Sequence, residues 1–455
     1  MAIGPHEDAN AMKISGGTVV TGDGASVIPD GYVQVRDSRI VEIGAGGGPP
    51  DDDVIDASGQ IVIPGIINTH AHGCVEGPFV PVGSPAFSGT AVHAELDRHL
   101  FGGETTVLCV CGFCLPREID TSHPVRTRLA TSHTPSNFAA ADLVDGKGLL
   151  PPHRAMTVEQ ALKDGAVAIG EIGAGHSLGG GAQDYLYIPD VIEKATGVRL
   201  RPDQARQLKW AILGRMLSRD AFDAARTERC LDTLGLSDRL DVTTARRLID
   251  QSVLPSIATT LEGFEEAAAL SAKTGVRAVF HTSPVSVGVI ERLAKKYPAA
   301  KLVAGHANQS DFEPQEAVDW AKRLRTLGVT IDISTWDIPG KAIQAKPDNF
   351  LAMLKAGVVD TVSTDYAGGD WEPILKGLAL AIKAEAVGLA AAVALATANP
   401  ARLFPGLAPD RGVLAAGKIA DVVLVDANNV GSVRTVIIGG KVLVRDKAAA
   451  GGRLN

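Results

Sequence analysis

Short β-branched apolar runs broken by polar and glycine turns fill roughly the first 60 residues, then the texture changes. Residues 13–20, 31–35 and 40–43 are β-branched runs separated by Gly-Asp-Gly and Asp-Ser turns, and residues 54–63 add a strand pair around Ala57-Ser58-Gly59. The C-terminal stretch returns to this pattern, with strands predicted at 420–425, 433–438 and 441–444 and a hairpin at Gly439-Gly440. Two β-rich ends around a different middle predict one small β-sandwich domain, built from residues 1–64 and 401–455.

In the middle, short apolar runs are followed by amphipathic helical stretches. Runs at 61–67, 105–110, 166–170, 276–280, 301–305, 329–333 and 358–363 read as strands, with helices after them, as at 289–296 and 316–327. Strand then helix, repeated, means parallel pairing with the helices outside. An eighth strand, placed at 138–144, would close a (β/α)8 TIM barrel over residues 65–400, with its chemistry at the C-terminal strand ends. One connection is far too long, about 100 residues from the fourth strand to the fifth, where one helix and two turns suffice. The excess, residues 177–255, predicts a helical insertion lying over the active site. Its long helix, placed at 203–234, should bury Leu208, Ile212 and Met216 on one face.

Composition narrows the function more than the fold. The chain has 455 residues, 45% hydrophobic and 21% charged, which excludes wholesale disorder. Lysine plus arginine (44) against aspartate plus glutamate (52) gives −8, which argues against coating nucleic acid or an anionic membrane. No run approaches the ~20 apolar residues of a membrane span, and residues 1–13 lack an apolar signal core, so a cytoplasmic location is expected. Five cysteines, an odd number in a long chain, make a disulfide scaffold a poor expectation. Cys109 and Cys111 share one strand face and Cys114 follows; such spacing can bind zinc, but small thiols packed inside the second strand are expected.

The polar residues at the strand ends change the picture. His70 and His72 flank Ala71 just after the first strand, and at strand spacing both imidazoles can reach one metal ion. Glu171, His281, His306 and Asp365 each end or follow another predicted strand. Five strands therefore finish with a metal-binding residue type at the same end of the barrel. A divalent ion held by histidine and carboxylate lowers the pKa of bound water to about 7 and polarises a carbonyl. His176, in a glycine-rich loop after Glu171, reads equally well as a substrate contact or a solvated loop residue. Asn308, Trp336, Tyr366 and Trp371 follow later strands and could line a pocket, while His93, His99, His123, His133 and His153 are expected at the surface.

At this point the chain resembles a family. Val62-Ile63-Pro64-Gly65-Ile66-Ile67-Asn68-Thr69-His70-Ala71-His72 resembles the first-strand signature of the amidohydrolase superfamily. Gly102-Gly103-Glu104-Thr105-Thr106-Val107 is similar to its second strand. Thr397-Ala398-Asn399-Pro400-Ala401, Gly412 and Gly417-Lys418-Ile419-Ala420-Asp421 are similar to its return into the β-sandwich. The resemblance implies a metal-dependent hydrolase of C–N, C–O or related bonds. It further implies two divalent ions, zinc first with iron or manganese as alternatives. His70, His72 and Asp365 would hold the more buried ion, His281 and His306 the second, and Glu171 would bridge them where many members carry a modified lysine.

A glutamate bridge with His281-Thr282 and Gly305-His306-Ala307-Asn308 downstream is similar to the enamidase branch, which opens a cyclic enamide; the long insertion departs from it. The function expected is hydrolysis of a C–N bond in a small, cyclic amide through metal-bound hydroxide, with Asp365 moving the proton. Deamination of a heterocycle is the nearest alternative, then hydrolysis of a linear amide, urea or carbamate. A non-catalytic scaffold would have lost ligand residues, and all six are present. The partners expected are a small-molecule substrate and further copies of the chain, with no nucleic acid and no membrane.

Overall fold

The computed structural model describes residues 11–51, 53–179, 182–335, 347–366, 372–446 and 448–449. The chain begins with β1 (Ala11–Val20), β2 (Val27–Arg36), β3 (Arg39–Ala45), β4 (Val54–Asp56) and β5 (Gln60–Pro64). The barrel strands follow: β6 (Ile66–Ala71), β7 (Glu104–Cys109), β8 (Arg126–Thr131), β9 (Ala168–Ile172), β10 (Ala278–His281), β11 (Leu302–Gly305), β12 (Thr330–Ser334) and β13 (Thr361–Ser363). The chain then returns through β14 (Val422–Asp426), β15 (Asn429–Ile438), β16 (Lys441–Arg445) and β17 (Ala448–Ala449).

The eight strands β6 to β13 pair in sequence order, all parallel. β13 meets β6 where the Asp365 amide donates to the His70 carbonyl at 2.9 Å and the His72 amide donates to the Tyr366 carbonyl at 2.8 Å. The N-terminal end of the barrel is filled by Ile67, Ala168, Val279 and Val303, against which Leu403, Phe404 and Leu407 pack. Such filling makes the barrel a packed core with no pore, and leaves the opposite end for chemistry.

The terminal strands hydrogen-bond without a break in the order β17-β16-β15-β14-β5-β1-β2-β3, with β4 added beside β1. The expected sandwich is thus one continuous sheet, whose Ile14, Val33, Val62, Val422 and Leu424 share a single core. β4 and β5 do not pair with each other; each runs parallel to β1. No helix among the described residues is long and apolar enough to cross a membrane.

Three expectations are corrected. Residues Pro135–Val144 form a helix, and the missing barrel strand is β8. Pro135 starts that helix and three consecutive alanines sustain it, a composition that favours helix over strand. The helix expected over 203–234 is two, Pro202–Leu213 and Ala224–Thr233, because Gly214 at φ +64° ends the first and the Asp223 side chain caps the second. Leu208 and Ile212 are buried as expected, but Met216 lies beyond the helix end and is 59% exposed. Finally, His99, His123, His133 and His153 are buried, not superficial. Three have carboxylate partners, His99 with Glu104, His123 with Asp97 and His153 with Glu118, and His133 meets the Thr131 hydroxyl at 2.8 Å. A polar ring can enter the interior when its hydrogen bonds are met there, as they are for the first three; His133 Nε2 has no partner among the described residues.

Inside the barrel, Asp332 on β12 ties three strands together. It accepts from Thr69 on β6 at 2.9 Å and from Thr361 and Ser363 on β13 at 2.6 and 2.7 Å. Burial pushes its carboxyl above the ordinary carboxylate value. Asp332→Ala strands the buried hydroxyls of Thr69 and Thr361 and leaves Ser363 only a 3.4 Å bond to the Ile333 carbonyl, and each orphaned buried group costs about 1–3 kcal/mol. The urea midpoint of Asp332→Ala should fall accordingly and that of Asp332→Asn by less; an unchanged midpoint for the alanine variant would refute the tie.

Candidate metal centre

His70 lies on β6 and His72 just past its end, while Glu171 lies on β9 and His281 is the last residue of β10. His306 and Asp365 stand in the turns after β11 and β13. All are buried except Asp365, which is partly open. Both turn residues have left-handed backbone, φ +35° at His306 and +49° at Asp365. That conformation is disfavoured by roughly 1–2 kcal/mol outside glycine, and here it aims both side chains across the barrel mouth.

Glu171 sits at the centre. Its Oε2 is 3.6 Å from His70 Nε2 and 3.7 Å from His72 Nε2. Its Oε1 is 3.3 Å from His281 Nδ1 and 2.9 Å from His306 Nε2. Asp365 Oδ1 joins the first side, 3.3 and 3.4 Å from the same nitrogens of His70 and His72. One carboxylate therefore divides its two oxygens between two histidine pairs.

This donor set fits divalent ions. Nitrogen and oxygen ligands ~2.1 Å from a tetrahedral ion stand roughly 3.4 Å apart, close to the separations found on both sides. Among the described residues His70 Nε2 is buried with no hydrogen-bond partner, a state that ligation would relieve. His70, His72, Asp365 and Glu171 could hold one ion; Glu171, His281 and His306 could hold another. Burial pushes the Glu171 carboxyl up, but the imidazoles of His70, His281 and His306 overcome this and hold it well below the usual range. Asp365 behaves alike, burial opposed by His306 and His70, so both are carboxylates at neutral pH.

A cavity of about 250 Å³ borders this centre and includes His72, Glu171, His281, His306 and Asp365 in its lining. Phe79, Val80 and Leu186 give it apolar walls, and His176, Arg206 and Gln309 give it polar ones. Burial and the nearby His72 and His281 push the His176 imidazole down to about 4, so it is neutral at physiological pH. Its ring meets Tyr187 edge-on at 5.8 Å.

Sequence reasoning missed much of this lining. Phe79 and Val80 follow the His70/His72 pair in the loop after β6, and Gln309 follows His306 in its loop, so loop membership was the available signal. Tyr185, Leu186 and Arg206 come from the insertion, which packs around its own core of Ile188, Ile192, Leu208, Ile212 and Ile249. Arg206 is tied to Asp184 at 2.9 Å and to Asp311 of the barrel at 3.3 Å; the fully buried Lys209 also pairs with Asp184, at 2.5 Å.

Two expected substrate contacts are turned elsewhere. Asn308 uses both ends of its amide on Ser334 of β12, donating to its carbonyl at 2.9 Å and accepting from its amide at 2.8 Å. The Tyr366 hydroxyl is engaged by the Arg98 guanidinium, and neither residue borders the cavity. Trp336 and Trp371 lie outside the described residues.

Against known proteins, residues 256–443 match the model of the amidohydrolase family, less than half of the chain. A stretch of 65 residues is 48% identical to 5-methylthioadenosine/S-adenosylhomocysteine deaminase of Symbiobacterium thermophilum, covering 13% of this chain and only 15% of that protein. β-Aspartyl dipeptidase from Fervidobacterium islandicum AW-1 has the same fold, with TM-score 0.58 at 16% identity over 99% of this chain and 100% of that one. N-acyl-D-glutamate deacylase of Bordetella bronchiseptica, solved with zinc and a phosphonate inhibitor, gives 0.52 at 18% identity over 96% and 97%.

The geometry predicts up to two divalent ions per chain, one for each donor group that contains Glu171. Glu171→Gln should lose the ion between His281 and His306 first, because that group has no second carboxylate. Glutamate needs no carbon dioxide to bridge, so reconstitution should be indifferent to bicarbonate. Elemental analysis with and without bicarbonate checks both points, and a bicarbonate requirement would show that the bridge is another residue.

Proposed function

We propose that this chain is a metal-dependent hydrolase that cleaves a C–N bond in a small, cyclic, amide-like compound. The observation that carries this reading is the single carboxylate of Glu171 shared between two histidine pairs, with Asp365 beside one of them, on the wall of a largely apolar cavity. Divalent ions in such a site supply Lewis acidity toward water and toward a carbonyl.

The chain's own residues do the rest. Asp365, partly open to the cavity, accepts the proton of the attacking water at Oδ1 and delivers it to the departing nitrogen as the C–N bond breaks. Neutral His176 offers a hydrogen bond to the substrate without adding charge. Phe79, Val80 and Leu186 exclude water and favour a compact ring over an extended peptide. A cyclic amide, opened without losing a fragment, suits a space of this size.

A second reading, removal of an amino group from a ring amidine, has its own support in the local identity to an adenosine-type deaminase. It needs the same donors and the same proton shuttle, with ammonia as the leaving group. A screen of lactams, hydantoins and aminated heterocycles separates the two, since only deamination releases ammonia. No hydrolysis of any of these classes by metal-loaded protein would overturn both.

Asp365→Asn removes the basic carboxylate, and turnover should fall by ~10²–10⁴; wild-type turnover would exclude Asp365 as the shuttle. Leu186→Ala should alter the ranking of substrates with metal content intact. An unaltered ranking would show that the insertion does not set specificity.

A further inference from the structure

Three thiols beside the metal centre take no part in that chemistry. Cys109, Cys111 and Cys114 are buried, and their sulfurs lie within 4.8 Å of one another. A structural zinc takes four ligands, and the cluster's neighbours are already engaged. Cys114 Sγ donates to the Pro78 carbonyl at 3.4 Å, and Cys74 Sγ pairs with His99 Nε2 at 3.4 Å. A hydrogen-bonded arrangement centred on one sulfur accounts for the geometry better than a third metal ion.

That sulfur is Cys111. It accepts from the Gly73 amide at 3.4 Å, and the Val80 amide and the Cys109 thiol also turn toward it. On its remaining side it lies 3.7 Å from His72 Nδ1. His72 points its other nitrogen, Nε2, at Glu171 and Asp365. An imidazole that offers the Nε2 lone pair to an ion carries its proton on Nδ1, and with an ion at Nε2 that Nδ1–H would face the sulfur.

We propose that Cys111 is the positioning residue for His72: its sulfur accepts the Nδ1–H, fixes the tautomer and ring plane, and thereby presents Nε2 to the metal. The inference rests on the metal-centre reading above. Metal-bound histidines commonly donate this second hydrogen bond to a carboxylate, a backbone carbonyl or water, and losing the partner weakens metal affinity about 10–100-fold. Here a thiol sulfur takes the carboxylate's place. Its size lets it reach a ring at 3.7 Å, a gap too long for a hydroxyl oxygen. By contrast, His70 Nδ1 and His281 Nε2 are buried without a hydrogen-bond partner among the described residues, so His72 is a ring with a side-chain anchor where those two show none.

The test compares zinc affinity of the full-length wild type with Cys111→Ala, Cys111→Ser and Cys114→Ala, by competition with a chromophoric chelator. Cys111→Ala should weaken one site about 10–100-fold. Cys111→Ser, whose hydroxyl oxygen falls short of the ring, should weaken it by a similar factor. Cys114→Ala, which removes a thiol of the same cluster but not the contact with His72, should bind as the wild type does. Equal losses in Cys114→Ala and Cys111→Ala would mean mere packing, and unchanged affinity in Cys111→Ala would mean no role; either overturns the proposal. If Cys111→Ala does not fold, Cys111→Ser set against Cys114→Ala decides by the same comparison. Cobalt loading adds a spectroscopic arm, since a sulfur-to-cobalt charge-transfer band would show direct ligation and replace positioning with a sulfur metal site. Wild-type protein that binds no zinc at all would sink the metal-centre reading itself, an outcome distinct from a selective change in one variant.

Discussion

The hydrogen bond from the Asp365 amide to the His70 carbonyl holds the rest in place. It joins the last barrel strand to the first, and each of its two residues also supplies a side chain to the donor cluster. Closure of the fold and assembly of the site are therefore one event. Asp332 reinforces the same seam one layer down, by collecting hydroxyls from β6 and β13 on a single carboxylate. Below that, Phe404 and Leu407 pack against the apolar residues of the barrel interior. The layers run from apolar floor to buried acid to donor ring, and each limits how far the one above it can shift.

Much of this was legible in the sequence because parallel barrels place like chemistry at like positions. His70, His72, Glu171, His281, His306 and Asp365 each terminate an apolar run, and the structure brings all six together. The elements that the sequence hides are hidden for local reasons. β8 reads Arg-Thr-Arg-Leu-Ala-Thr, and its two half-buried arginines disguise a barrel strand as surface. The neighbouring helix resembles a strand because Phe138, Leu143 and Val144 are apolar, while the alanines between them carry the helical preference. Buried histidines looked superficial because their carboxylate partners, Glu104, Asp97 and Glu118, are distant or unremarkable in sequence.

The insertion shows the same limit at larger scale. Its own core could be guessed from the spacing of Leu208 and Ile212, but its attachment could not. Arg206 reaches Ser310 and Asp311, and Arg215 makes two 2.9 Å bonds to Glu316, so charged residues fasten it to the barrel. Ion pairs between distant segments leave no periodic trace. They also fix which residues face the cavity, since Arg206 is both a fastener and part of the lining.

The terminal sheet has a consequence in time. β5 carries Ile61, Val62 and Ile63, and its antiparallel neighbour is β14, whose Val422 lies opposite Pro64. Some 350 residues separate these partners in the chain, which at ~5–20 residues per second of synthesis is about 20–70 s. For that interval one edge of an apolar strand is finished and has nothing to pair with, an invitation to strand addition from other chains. A nascent polypeptide of this design depends on being shielded until its far end emerges, and that delay is set by the length of the barrel and its insertion, whatever the stability of the finished fold.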